Sequence, residues 1–199
     1  MVYYTIFDYR RQPKYQFFGL AIGWYNYTMR LPPRPRLRPN VAICIINPRN
    51  EVLLVWSRQH RRNDWMFPQG GIEVGESLGQ ATRRELKEEL GLVEVKLLLL
   101  RDRVYRYRWP VGLINRKGEH SKEGYAGQEQ SLAIVRVPST RPKLMPDPRE
   151  ATLVAWVPLA QFMHKLSPVR RTLGKIAMVE LEKLIRPTPR AARITKPLV

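Results

Sequence analysis

Gly70–Leu92 reads GGIEVGESLGQATRRELKEELGL, and six of the chain's seventeen acids fall between Glu73 and Glu94. The whole chain carries a formal charge of +18, so this local concentration of acid is its most unusual feature. Gly70, Gly71 and Gly75 are expected to form a loop with unusual backbone angles. Ser77 and Gln80 have the spacing of a capping box, with Ser77 as the N-cap. The spacing predicts a helix to about Leu90, closed by Gly91 in the left-handed conformation. Glu85, Glu88 and Glu89 stand at i, i+3 and i+4, so they share one face about 100° wide. Leu86 and Leu90 lie on the neighbouring face, positioned to pack on a sheet.

Three carboxylates on one helical face repel, at a few tenths of a kcal/mol per pair. Arg84 is placed to pair with Glu88 one turn on. Divalent cations would offset the rest, and hard oxygen ligands suit Mg²⁺ or Mn²⁺. The plain alternative is a solvated acidic face.

Outward from this stretch the pattern alternates between strands and one further helix. Val41–Ile46 reads as a buried strand, 47–50 as a turn and Val52–Trp56 as its hairpin partner. Val93–Leu100, Ser131–Val137 and Leu153–Val157 read as three more strands. Leu166–Leu184 reads as a helix, with Ser167 as N-cap and Pro168 in its first turn. Strands on both sides of a central helix, with a second helix at the end, imply an α/β or α+β sandwich.

The chain has 199 residues, and 25 of its 35 basic residues are arginine. Arginine binds phosphate bidentately, so the excess favours a polyphosphate or nucleic-acid partner, unless it reflects only a GC-rich genome. Cys44 is the one cysteine and sits in an apolar run, which excludes an internal disulfide framework and suggests a core thiol. No apolar run approaches the roughly 18 residues of a membrane span, and no secretory signal is evident, so a cytoplasmic location is expected. Ten of the nineteen aromatic residues lie in 1–29, followed by a Pro/Arg-rich stretch to residue 36. This extension is either a docking arm or, if Met29 is the true start, not native. The basic tail 186–199 is expected to be disordered.

The stretch resembles the Nudix box. That pattern is glycine, five residues, glutamate, seven residues, then Arg-Glu-aliphatic-x-Glu-Glu-x-Gly-aliphatic. Gly70, Glu76, Arg84, Glu85, Leu86, Glu88, Glu89, Gly91 and Leu92 occupy every defined position. The lead-in Trp65-Met66-Phe67-Pro68-Gln69-Gly70-Gly71 is similar to that of bacterial RNA 5′ pyrophosphohydrolases and dinucleoside polyphosphate hydrolases. Leu37-Arg38-Pro39-Asn40-Val41 and Gly127-Gln128-Glu129-Gln130 resemble two further motifs of that group. The resemblance covers residues 37–185, the expected domain. Three departures touch substrate recognition. Ser131 replaces an aromatic, Glu129 stands where some members have a basic residue, and Val169-Arg170 is the nearest match to an aromatic–lysine pair.

The resemblance implies an α/β/α sandwich with a central mixed sheet, a catalytic loop-helix and a C-terminal helix. It implies Gly70, Glu85, Glu88, Glu89 and the loop residue Glu150 as holders of Mg²⁺ or Mn²⁺. The general base is then Glu88 or Glu89, or else Glu150. Arg38, Arg58 and Arg108 are candidates for phosphate contacts, and Tyr107 for stacking on a base. His60, His120 and His164 are expected to be ordinary surface residues. The implied reaction is metal-dependent cleavage of a phosphoanhydride at the 5′ end of tri- or diphosphorylated RNA. Hydrolysis of diadenosine tetraphosphate-type compounds is the enzymatic rival. A non-catalytic nucleic-acid-binding protein on the same scaffold is the rival of another class.

Overall fold

The computed structural model describes residues 36–56, 64–109, 124–149 and 151–185. All of them belong to one compact unit, Arg34–Val199. The aromatic extension, the basic tail, Arg58, Glu150, His60 and His120 lie outside the described residues.

The first strand organises everything else. β1 (Arg38–Ile46) runs Val41-Ala42-Ile43-Cys44-Ile45-Ile46 with every side chain fully buried. A strand covered on both faces needs such an unbroken apolar run. Asn47 stabilises the following turn, because its Oδ1 accepts from the backbone N–H of Arg49 (2.9 Å) and Glu51 (3.0 Å). β2 (Glu51–Trp56) then returns antiparallel, pairing Ile45 with Leu53 and Ile46 with Val52. The N-terminal half of the same β1 edge is taken by β3 (Gln69–Gly71), with Asn40, Val41 and Ala42 opposite Gly71, Gly70 and Gln69. The other β1 edge pairs parallel with β5 (Gly127–Arg136) along its full length. β4 (Lys96–Arg108) lies outside β5, and β6 (Leu153–Pro158) lies outside β2. The order is β4-β5-β1-β2-β6, a mixed sheet with β3 appended to β1.

Alternation along β1 divides the core in two. Val41, Ile43 and Ile45 pack with Leu86 and Leu90 of α1 (Leu78–Leu90). Ala42, Cys44 and Ile46 pack with Phe162 of α2 (Phe162–Lys165) and with Leu173, Ala177 and Leu181 of α3 (Arg171–Ile185). The result is the expected sandwich of helix, mixed sheet and helix. Cys44 is a buried core thiol, and burial pushes its pKa up. Among the described residues no helix is long and apolar enough to cross a membrane.

Three local expectations need correction. Val93–Val95 is not strand; β4 starts at Lys96 and runs to Arg108, because pairing with β5 supplies hydrogen bonds well past the apolar segment. Two register shifts in β4 accommodate the extra residues. At the second, Ser131 Oγ accepts the N–H of Arg103 (3.0 Å) and donates to Asp102 (2.8 Å), with Arg103 at φ 49°. The second correction concerns the last helix. Leu166 is outside it, Pro168–Arg170 forms a 3₁₀ turn, and Ser167 makes no capping bond there. The Leu166 N–H instead ends the short α2 by bonding to Phe162. The third concerns the glycine loop. Gly75 alone of its three glycines has a positive φ, 82°, while Gly70 and Gly71 are extended residues of β3.

Candidate active site

The loop-helix is built by local rules. The Ser77 side chain accepts from Gln80 N–H (3.3 Å), and Gln80 Oε1 accepts from Ser77 N–H (2.9 Å). This capping box is worth about 1 kcal/mol. At the other end Gly91 is left-handed at φ 67°, so Leu92 N–H reaches back to the Leu86 carbonyl (3.0 Å). Two helix carbonyls that would otherwise lack a partner are met from a distant segment: Met145 N–H bonds to Leu90 and Asp147 N–H to Glu89, both at 2.9 Å.

The acids of α1 differ sharply in environment. Glu85 and Glu89 are buried, whereas the Glu88 side chain is 60% exposed. Glu85 lies directly over Gly70, where a Cβ would overlap its carboxyl group. The bare backbone of Gly70 is therefore what lets β3 and α1 approach. Burial raises the pKa of Glu85, and hydrogen bonding from Arg84 opposes the shift.

Arg84 ties the loop to the helix. Its Nε and Nη2 donate to the two Glu76 oxygens at 2.9 and 2.8 Å, and Nη2 also donates to the Gly71 carbonyl at 2.8 Å. Nη1 bridges Glu85 (2.7 Å) and Glu88 (3.2 Å). Arg84 thus pairs with Glu88 as the spacing indicates, and with two further acids that helical spacing alone does not reach. The pKa of Glu76 is lowered chiefly by this hydrogen bond and that of Arg84 is raised by it. Glu76 also accepts the Glu73 N–H (3.1 Å), which fixes the loop.

The oxygen donors here are of the kind that would suit a hard divalent cation. Glu85 and Glu89 are carboxylates removed from water, Glu88 stands beside them, and Gly70 contributes a side-chain-free approach. Among the described residues no three acids are drawn together as a ligand cluster, and a guanidinium nitrogen bridges Glu85 and Glu88. A cation bound there would take over the charge neutralisation that Arg84 Nη1 now supplies.

The other sequence candidates separate. Arg38 lies against Gly71 and lines, with Arg84 and Glu85, an open cleft of about 500 Å³. Tyr125 lines the same cleft, and the Arg36 guanidinium stands 5.0 Å from its ring centroid. Neither was singled out from sequence, because Tyr125 ends a polar segment with no periodic signal. Arg108 is exposed at the end of β4 and does not line that cleft. His164 is exposed.

Tyr107 belongs to a second polar group, on the α3 side of the sheet. Its hydroxyl donates to Gln128 (2.7 Å) and accepts from Arg170 Nη1 (2.9 Å). Arg170 also covers the Tyr107 ring at 5.6 Å, and Tyr105 stacks at 5.7 Å. Gln130 Nε2 donates to Gln69 (2.8 Å) and Asn40 (3.3 Å) in the same group. Among the described residues Arg170 Nε and Ser167 Oγ are buried without a hydrogen-bond partner. Buried polar atoms are almost always paired, so these two are exceptions among the described residues.

Residues 36–176 match the family model for the NUDIX domain. The fold is similar to that of an E. coli dihydroneopterin triphosphate pyrophosphohydrolase, with a TM-score of 0.56 and 18% identity over 72% of this chain and 98% of that one. A C. elegans Ap4A hydrolase matches at 0.54, with 14% identity over 74% and 99% of the two chains. A MutT protein from Methanosarcina mazei Go1 matches at 0.51, with 17% identity over 75% and 98%. At such identities the structural likeness establishes a shared fold.

Proposed function

The chain belongs to the NUDIX domain family and is a hydrolase of that family, and from this premise we propose that it cleaves a phosphoanhydride at the 5′ end of tri- or diphosphorylated RNA. The observation that carries the reaction type is the seating of the buried Glu85 carboxylate on Gly70, with Glu88 and Glu89 on the same helix. These three acids and the Gly70 carbonyl would hold Mg²⁺ or Mn²⁺, with Glu150 as the ligand contributed by a loop. When bound, the cation supplies charge neutralisation along the phosphates and lowers the pKa of a water.

The chain's own residues have separable tasks. Glu85 and Glu89 are buried and are anchoring groups. Glu88 is exposed, and only its Oε2 is held by Arg84, so Oε1 is free among the described residues to accept a proton from an attacking water. Arg84 positions the acids and the loop. Arg38 lies in the cleft beside Glu85 and is placed to neutralise a transferred or leaving phosphate. Arg58 and Glu150 keep the roles the resemblance implies, phosphate contact and metal ligand or alternative base. Arg170, Gln69 and Gln128 line the polar group that would receive a base, with Tyr107 held among them rather than free to stack.

RNA is preferred over a free nucleotide because the net charge of +18 favours an extended phosphate partner. The solved C. elegans neighbour is named as an Ap4A hydrolase, so diadenosine tetraphosphate is the comparison substrate. Rates on that compound and on 5′-triphosphorylated RNA, each with Mg²⁺ and Mn²⁺, test the reading. A higher kcat/KM on RNA is expected; preference for the dinucleotide would replace the substrate and keep the reaction. Glu88→Gln should lower kcat by about 10²–10⁴-fold with RNA affinity little changed. Full turnover in that variant would transfer the base role to another acid. Calorimetry showing no uptake of either cation, even with a phosphorylated ligand present, would refute the reaction type.

A further inference from the structure

The outer flank of α1 carries two cations, Arg83 and Lys87, that this reaction does not use. An open groove of about 590 Å³ is lined by Arg83, Arg84, Lys87 and Glu88, over an aliphatic floor of Leu92, Val93 and Val95. Arg83 and Lys87 stand at i, i+4 and make no ion pair with a described residue, while Arg84 is engaged by three acids. Lys87 gains from its place in the last helical turn, but Arg83 does not, and the two like charges repel. Around the helix axis Glu88 lies between this groove and the face of Glu85 and Glu89. The groove therefore begins where the acid face ends.

We propose that this groove carries the backbone of single-stranded nucleic acid downstream of the phosphates being cleaved, with Arg83 and Lys87 contacting successive phosphates. The inference rests on the reading that a polyphosphate end sits at Glu85–Glu89. A polymer whose end occupies that face must continue away from it, and the neighbouring surface presents Arg83 and Lys87, which make no ion pair with a described residue. An acidic peptide would match the charge but not this continuity. Among the described residues the floor offers no aromatic ring for base stacking, so contacts here are to backbone and independent of base sequence.

The test measures binding by fluorescence anisotropy with 5′-triphosphorylated RNAs of two and of twelve nucleotides. The full chain is compared with Arg83→Glu/Lys87→Glu and with the charge-preserving Arg83→Lys/Lys87→Arg. Charge reversal should weaken the twelve-nucleotide RNA by about tenfold or more, and lower the slope of log affinity against log salt by about 1.4. The penalty on the two-nucleotide RNA should be several-fold smaller, and the charge-preserving variant should bind as wild type does. Thermal melting reports whether the exposed substitutions leave the fold intact. An equal penalty at both lengths, or none at twelve, overturns the groove as a strand path. Wild-type cleavage of triphosphorylated RNA with either of those results removes the groove alone. Absence of both cleavage and binding by wild type removes the functional reading with it.

Discussion

The acid–arginine network at α1 and the polar group under α3 are built in opposite ways. Gly70, Glu76, Arg84, Glu85 and Glu88 come from one stretch of nineteen residues. Asn40, Gln69, Tyr107, Gln128, Gln130 and Arg170 come from four strands and a 3₁₀ turn. In the first group Arg84 uses every nitrogen, and of the Glu88 carboxylate it holds only Oε2. In the second, Arg170 Nε is buried with no partner among the described residues. A site that must hold the same charges in every turnover is pre-organised and local. A site that must accept a ligand's polar edges leaves bonds open and draws them from distant segments.

The contrast is broken most severely at Gly70. Gly70→Ala puts a methyl group into the Glu85 carboxylate, so activity should fall by more than about 10³-fold and stability by roughly 1–3 kcal/mol. Wild-type kinetics in that variant would show that Glu85 does not need its seat.

Next comes Arg84→Met, which leaves Glu76, Glu85 and Glu88 without their shared partner. A loss of about 1–3 kcal/mol by denaturant titration is expected, with kcat down roughly 10²-fold. An unchanged melting curve would mean the network is optional.

The α3 side should respond differently. Arg170→Met removes the guanidinium donors from the polar group but no group that touches the α1 acids. KM should rise about tenfold while kcat changes by less than about threefold. A fall in kcat with KM unmoved would join the two regions into one.

The smallest effect belongs to the segment that braces the end of α1. Hydrogen bonds from Arg149 hold the Asp147 carboxyl at about 2, below its usual value. The lowered folded value means that Asp147 stabilises the fold above the unfolded pKa, near 3.9, and loses that contribution as pH falls through about 2. Asp147→Asn should flatten acid unfolding over that interval by an amount small beside the other variants, since the Arg149 guanidinium faces solvent. An acid limb identical to wild type would show that the pair adds nothing.

Legibility followed the same division. The capping box, the helix end at Gly91 and the facing acids obey rules that act over three or four residues, so Gly70–Leu92 could be read directly. The burial of β1 was equally plain from Val41–Ile46. The length of β4 was not, because Arg101–Arg108 has little apolar content and owes its extended form to hydrogen bonds with β5. The role of Gly70 and Gly71 was misread for a related reason. A glycine needed for close approach looks the same in sequence as one needed for a turn, and only the seated Glu85 and Arg38 side chains distinguish them.

What the chain's order of residues determined alone is the family, the helix with its caps, and which acids share a face. These depend on spacing along a helix of known pitch. Only the tertiary structure decided that Glu85 and Glu89 are buried while Glu88 meets solvent, and that Arg84 reaches back to Glu76. It alone joined Tyr107, Gln128 and Arg170. Burial and long-range pairing depend on which strands become neighbours, and that is settled by the packing of the whole sheet rather than by any one segment.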